Sequence, residues 1–215
     1  MDDTKPGWAL IIAGGNPVKT SLAARLGTPD WIVAADSGLD QAQRLGIHPD
    51  LVIGDMDSVS DSGLAAAASA GIAIERYPQD KDATDLELAI DAVARAGYLR
   101  ATIVGGTGGR MAHTLANAML LLHEHTVELD WLTSRACITG LRAGQTGTFR
   151  ATAGTLLSVL AVGGSTTCVA TGLRWPLAGE PLVSGSTRGI SNEIVEDTAT
   201  VHITAGQALI VHERN

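Results

Sequence analysis

Short apolar runs that stop at glycine or aspartate recur through the first half of the chain. Trp8–Ala13 reads as a strand ending at Gly14-Gly15, and Trp31–Ala35 as another ending at Asp36. Asp50–Ile53 runs into Gly54-Asp55, Ile72–Tyr77 is a short run, and Thr102–Val104 stops at Gly105-Gly106. Helical patterns lie between them. Leu39–Leu45 is followed by Gly46, Ser62–Ala70 is alanine-rich, and residues 112–124 read as a helix. The clearest helix start is Thr84, with Glu87 three residues on in the spacing of a capping box. Leu86, Ala89, Ile90 and Val93 then form an apolar face at i, i+3, i+4, i+7, and Gly97 supplies the stop. Strands that are apolar nearly throughout, alternating with helices, predict a parallel α/β sheet.

The rhythm changes after about residue 126. Val127–Leu132, Thr148–Thr152, Thr155–Val162, Thr166–Thr171, Thr200–Thr204 and Ala208–His212 look like short strands, many separated by glycine-rich turns. No long helical pattern intervenes, which predicts an all-β second domain, a sandwich or open barrel. The expected division is 1–126 and 127–215, with the boundary near residues 124–136.

Composition narrows the function classes. The formal net charge is −8, whereas a non-specific nucleic-acid binder is normally basic, so no nucleic-acid partner is expected. An acidic chain that handles phosphates needs metal ions or local basic groups. Cys137 and Cys168 form no CxxC and no Cys/His cluster, which argues against a disulfide framework or structural zinc and for a reducing cytoplasm. The opening MDDTKPGWALIIAGG is acidic, and its apolar run is too short for a signal peptide or membrane span. No membrane association is expected.

Candidate chemistry gathers at strand ends. In Leu51-Val52-Ile53-Gly54-Asp55-Met56-Asp57, an extended chain would turn both aspartates to one side. Two such carboxylates repel each other and favour a cation. Asp36 ends an earlier strand, and Asp82 and Asp85 flank Thr84 at a helix start. Each taken singly is explained by turn or cap preference. Together they make five carboxylates at loop positions, and all-oxygen ligands of this kind suit Mg²⁺ shared with nucleotide phosphates. Residues 105–110, GGTGGR, offer backbone N–H groups and the Arg110 fork to an anion, but match neither a Walker loop nor GxGxxG. His113 and Asn117, four apart, share a helix face. His123-Glu124-His125 is not HExxH and reads as a solvated helix end. Ser37 lies in no G-x-S-x-G elbow, so serine hydrolase chemistry has no support. Gly172–Leu177, GLRWPL, and Ser191-Asn192-Glu193 are either plain turns or binding elements.

Asp36-Ser37-Gly38, GDMDS, KDATDLELA, GGRMAHTLAN, GLRWPL and SNE, in this order, resemble the thiamine pyrophosphokinase family from about residue 8 to residue 212. The resemblance implies an α/β N-terminal domain with a parallel Rossmann-like sheet, a C-terminal β-sandwich, and a homodimer with active sites between subunits. It implies transfer of a diphosphoryl group from ATP to the hydroxyl of thiamine, releasing AMP. Asp55, Asp57 and Asp85 would be catalytic and hold Mg²⁺. Asp36, Asp82, Thr84, Arg110, His113 and Asn117 would serve ATP. Trp175 would face the cationic thiazolium, and Ser191 and Asn192 would hydrogen-bond the aminopyrimidine. One position departs from the family pattern: Ala112 stands directly before His113, where an acid is usual. The alternatives are a diphosphokinase for another hydroxymethyl heterocycle such as a pterin, or a weakened homologue that only binds thiamine or nucleotide.

Overall fold

The computed structural model of the chain describes residues 7–24, 26–124 and 126–214. The chain divides into two compact units, one extending to Ser134 and the other beginning at Arg135.

The first unit follows a strand–helix order: β1 (Ala9–Ala13), α1 (Thr20–Ala23), β2 (Trp31–Ala35), α2 (Gly38–Leu45), β3 (Leu51–Gly54), α3 (Asp61–Ser69), β4 (Ala73–Arg76), α4 (Asp85–Arg95), β5 (Arg100–Val104), α5 (Met111–Leu120) and β6 (Glu128–Leu132). These strands lie in the order β6-β5-β1-β2-β3-β4, and every pairing among them is parallel. All five residues of β1 are buried, which requires cover on both faces. Leu10 and Ile12 pack with Leu22 and Ala42, while Ala34 and Val52 pack with Leu39 and Ala67. α4 also packs across β1, β2 and β3, burying Leu86, Ala89, Ile90 and Val93. That is the apolar face expected from spacing. The Thr84 side chain accepts from the Glu87 N–H at 3.3 Å, so the expected cap forms.

The strand order reverses about β1. The chain steps from β1 through β2 and β3 to β4, then returns to place β5 on the other side of β1. A crevice outside the carboxyl ends of β1 and β5 is therefore the place where an open α/β sheet takes a ligand.

The second unit contains β7 (Ala136–Arg142), β8 (Thr146–Arg150), β9 (Leu156–Ala161), β10 (Ser165–Thr171), β11 (Leu177–Ala178), β12 (Leu182–Val183), β13 (Asn192–Glu193), β14 (Thr198–Ala205) and β15 (Gln207–Glu213). They form two antiparallel arrays, β13-β9-β15-β7 and β11-β10-β14-β8, with β12 paired to β10. Leu157, Val159 and Ile210 from the first array share one buried core with Cys168, Val201 and Ile203 from the second. This is a sandwich, with alternate residues turned inward.

Three expectations change. Val127–Leu132 is a strand, but it pairs in parallel with β5 as β6 and so belongs to the first unit. Leu129 and Trp131 are buried while Glu128 and Asp130 are exposed. Such alternation marks a half-exposed strand without indicating its direction of pairing. The boundary therefore falls at 134/135 rather than 126/127. The helix expected over 112–124 stops at Leu120, and His123 and Glu124 are exposed beyond it. His125 lies outside the described residues. Finally, β3 ends at Gly54, and Met56 has a left-handed φ of 66°. Asp55 and Asp57 are thus not strand neighbours.

Candidate active site

The residues that follow β1, β2, β3 and β5 enclose a cavity of about 690 Å³. Its wall includes Gly14 and Gly15 after β1, Asp36 and Ser37 after β2, Asp55, Asp57 and Ser58 after β3, and Gly106, Gly108, Gly109 and Arg110 after β5. Backbone hydrogen bonds bind the two glycine turns together, from Gly106 N–H to Gly14 O at 2.7 Å and from Asn16 N–H to Thr107 O at 2.7 Å.

Each acidic residue is placed by local structure. Asp36 has a left-handed φ of 48° between β2 and α2. Its N–H donates to Ile53 O, and its carbonyl accepts from the Leu39 N–H. Held this way the residue is only 7% exposed, and Oδ1 meets no hydrogen-bond donor among the described residues. Met56, also left-handed, buries its side chain beside Leu39, Val52 and Val59. That reversal brings the flanking acids together, and the Asp57 N–H donates to Asp55 Oδ1 at 3.1 Å. Carboxylate oxygens of Asp36, Asp55 and Asp57 lie within 4.8 Å of one another. Asp85, in the first turn of α4, is near the same point: a Cβ added at Gly54 would stand 2.9 Å from Asp85 Oδ1 and 3.1 Å from Asp36 Cβ. Asp36, Asp55, Asp57 and Asp85 all line the cavity, whereas Asp82 is exposed and does not.

Two long-range partners of this cluster, Lys81 and Gln79, escape a reading of the sequence. Lys81 Nζ lies 2.6 Å from Asp55 Oδ2 and 3.2 Å from Asp85 Oδ1. Gln79 Nε2 donates to Asp57 Oδ2 at 2.9 Å, and Ser58 Oγ donates to Asp57 Oδ1 at 2.8 Å. The pairings to Asp55 and Asp57 span 26 and 22 residues, so no local pattern announces them. Only the i, i+4 spacing of Lys81 and Asp85 was visible.

The charge states follow from these contacts. The hydrogen bond from Lys81 holds the Asp55 carboxyl below its usual range, against the opposing effect of burial. Burial alone would depress Lys81, but the hydrogen bond to Asp55 and the charges of Asp85 and Asp55 outweigh it and hold the ammonium above its usual range. Asp36 is raised, chiefly by burial. The Ser37 N–H and Ser58 oppose this, and the charges of Asp85 and Asp55 add to it. A buried carboxylate oxygen without a donor, among three other acids, is an arrangement a divalent cation would relieve.

The other expected nucleotide residues differ in what they can offer. Arg110 and His113 line the cavity and are exposed, and Arg110 has no ion pair among the described residues. Thr84 lines it too, but its hydroxyl serves the α4 cap. Asn117 donates to Gly106 O at 2.9 Å, and Trp131 Nε1 donates to Gly105 O at 2.7 Å, so both shape the glycine turn. Buried Gln41 does the same for β1, donating to Ala13 O at 3.1 Å and accepting from the Val18 N–H. Ala112 is exposed on α5 and is not part of the cavity wall.

In the second unit, GLRWPL and SNE meet one another. The Asn192 side chain accepts from the Trp175 N–H at 3.1 Å and donates to Trp175 O at 2.6 Å. Arg174 Nη1 pairs with Glu193 Oε2 at 2.7 Å, and Leu173 bridges to Ile194. The Trp175 ring is left 57% exposed, with the Arg174 guanidinium 5.5 Å from its centroid. Ser191 has a left-handed φ of 55°, and its N–H donates to Ser158 Oγ. Asn192 is 4% exposed and satisfied by backbone, so it holds Trp175 rather than reaching into solvent.

Comparison with known proteins places the chain. The family profile described as "Thiamin pyrophosphokinase, catalytic domain" matches residues 24–130, and "Thiamin pyrophosphokinase, vitamin B1 binding domain" matches residues 148–210. The thiamine pyrophosphokinase of Bacillus subtilis is 27% identical over 208 residues, covering 94% of this chain and 96% of that protein. Thiamine pyrophosphokinase 1 of Oryza sativa subsp. japonica is 27% identical over 194 residues, covering 86% and 72%. The crystal structure of the Bacillus subtilis protein matches with a TM-score of 0.85 at 22% identity, covering 97% of this chain and 99% of that one. That of the Geobacillus thermodenitrificans protein gives 0.83 at 24% identity, covering 97% and 98%. These structures share the fold; with both family profiles matched in order over most of its length, the chain belongs to the thiamin pyrophosphokinase family.

Proposed function

We propose that the chain transfers a diphosphoryl group from ATP to the hydroxyl of thiamine, giving thiamine diphosphate and AMP, with Mg²⁺ as the metal. The observation that carries this reading is the convergence of Asp36, Asp55 and Asp57 at the sheet's carboxyl end, with Asp36 Oδ1 buried and without a donor among the described residues. Hard carboxylate oxygens in this number fit Mg²⁺. Asp36, Asp55 and Asp57 would hold the ion, with Asp85 beside them. When bound, it would neutralise charge on the polyphosphate as the transferred group leaves AMP. Among the described residues Arg110 has no ion pair to give up, and it would fork onto phosphate oxygens, while the N–H groups of Gly106–Gly109 present a turn for an anion. One of the aspartates would accept the hydroxyl proton. Trp175 offers an open aromatic face to a cationic thiazolium, Ser191 offers a hydroxyl, and Asn192 acts through Trp175.

A homodimer is part of the proposal. Met111, Leu115 and Met119 form an apolar stripe along α5, 71%, 57% and 45% exposed. Such a stripe suits a second copy more than water. A cytoplasmic setting rests on Cys137 and Cys168, both thiols here, and among the described residues no helix is long and apolar enough to cross a membrane.

Incubating the protein with ATP, Mg²⁺ and thiamine, and resolving nucleotides and thiamine species by chromatography, tests the reading. AMP and thiamine diphosphate are expected in equal amounts. Neither product with any divalent metal would overturn it. Diphosphorylation of a hydroxymethylpterin in place of thiamine would move the assignment to the alternative substrate.

A further inference from the structure

Lys81 is the one basic side chain that forms an ion pair with the acidic cluster among the described residues. Its side chain is 12% exposed, and its Nζ bridges Asp55 Oδ2 at 2.6 Å and Asp85 Oδ1 at 3.2 Å. Those are oxygens a divalent ion in this cavity would also draw upon. Lys81 stands in the loop ahead of α4, outside any helix or strand, on a flexible four-carbon stem. It lines the same cavity as Arg110 and the glycine turn.

We propose that Lys81 is a built-in counter-cation that competes with bare metal for Asp55 and Asp85 and moves to polyphosphate when a metal–nucleotide complex enters. The inference rests on the metal–nucleotide reading above. One carboxylate oxygen cannot serve the ammonium and a divalent ion equally well. A bare ion must break two ion pairs in a largely buried place and leave the ammonium without an acceptor, which weakens its binding. An ion arriving with a nucleotide supplies phosphate oxygens that take up the displaced ammonium, so that cost is recovered. Lys81 thereby couples metal binding to nucleotide binding, and coupling of this kind is reciprocal. The site accordingly prefers the metal–nucleotide complex to its separate parts. Lys81 is a binding and positioning residue in this account, and it performs no covalent step.

Mn²⁺ titration followed by the electron paramagnetic resonance of the free ion tests this without any turnover. Lys81→Met is expected to bind bare Mn²⁺ about tenfold more tightly than the unaltered protein. Lys81→Arg, which keeps the charge, should stay close to the unaltered value. In calorimetry with Mg²⁺ and the α,β-methylene analogue of ATP, Lys81→Met should bind the nucleotide more weakly. Circular dichroism of each variant checks that the fold is retained. Should Lys81→Met bind bare Mn²⁺ no more tightly, the inference is overturned while thiamine diphosphate formation by the unaltered protein still upholds the function. Absence of Mn²⁺ binding in every protein, with or without nucleotide, overturns both.

Discussion

At the scale of single residues, the expected site positions in both units are built on backbone conformations that L-residues rarely adopt. Asp36, Met56 and Ser191 are the three non-glycine residues with positive φ among those described, at 48°, 66° and 55°. All three lie at expected site positions or between them. Such conformations cost about 1–3 kcal/mol each and persist where surrounding structure enforces them. The GDMDS spacing revealed that two acids converge, but for a different reason than alternation along a strand. Met56 reverses the chain and anchors the turn by burying its own side chain. Asp57→Asn tests the purpose of the convergence. Asp57 is exposed and sits in a loop, so the variant should fold normally. Its AMP formation is expected to fall by about a hundredfold or more, since a preorganised charge facing developing charge is lost. Near-normal turnover would reduce the pair to a turn motif. Gly54→Ala probes the same wall from behind. With φ at 143° and a new Cβ 2.9 Å from Asp85 Oδ1, it should lower the urea midpoint by the equivalent of about 1–3 kcal/mol and weaken Mn²⁺ binding as well.

Among elements, the first unit was legible because its strands are buried on both faces. Ala9–Ala13 and Leu51–Gly54 have no exposed positions, so they read as unbroken apolar runs. Thr84 and Glu87 announced α4 because a cap is a local interaction across three residues. The second unit was legible only in outline. β11, β12 and β13 are two-residue strands, too short to carry a period, and they owe their existence to partners in β10 and β9. The pairing of GLRWPL with SNE was equally hidden, for it joins residues 17 apart through a side chain. It ties the Asn192 side chain to the Trp175 backbone. Asn192→Ala should leave the Trp175 N–H and carbonyl without their partner and cost about 1–3 kcal/mol in the urea midpoint. If the exposed Trp175 face serves thiamine, KM for thiamine rises in this variant while KM for ATP holds. An equal rise in both would assign Asn192 to the fold alone.

For the whole molecule, the pH dependence of stability is set by buried groups in both units, and they pull in opposite directions. In the first unit, burial raises Asp36 above its ordinary value. Its ionisation costs more folded than unfolded, so the stability linked to it is full below the unfolded carboxylate value and is lost as pH rises through the folded one. Asp55, lowered by Lys81, has the reverse sign, and its contribution fades only as pH falls below the ordinary carboxylate range. In the second unit, burial holds His212 below its usual value, the Arg214 charge adds to this, and Glu213 opposes it. His212 Nε2 is buried without a hydrogen-bond partner among the described residues, and the ring packs edge-on against Phe149. A neutral imidazole tolerates that setting and a charged one does not. Below the unfolded value of about 6.5 the unfolded chain takes up a proton that the folded one refuses, so stability drops as pH falls from neutral through that window. Urea midpoints followed by circular dichroism should decline between pH 7.5 and 5.5. His212→Gln, which cannot titrate, should flatten the decline although its midpoint at pH 7.5 is lower. Parallel declines in both proteins would place the acid sensitivity elsewhere. In the first unit Asp36→Asn tests the opposite sign: removing a buried charge there should raise the midpoint at pH 7.5 while abolishing metal binding, the balance expected where stability is given up to keep a cation site open.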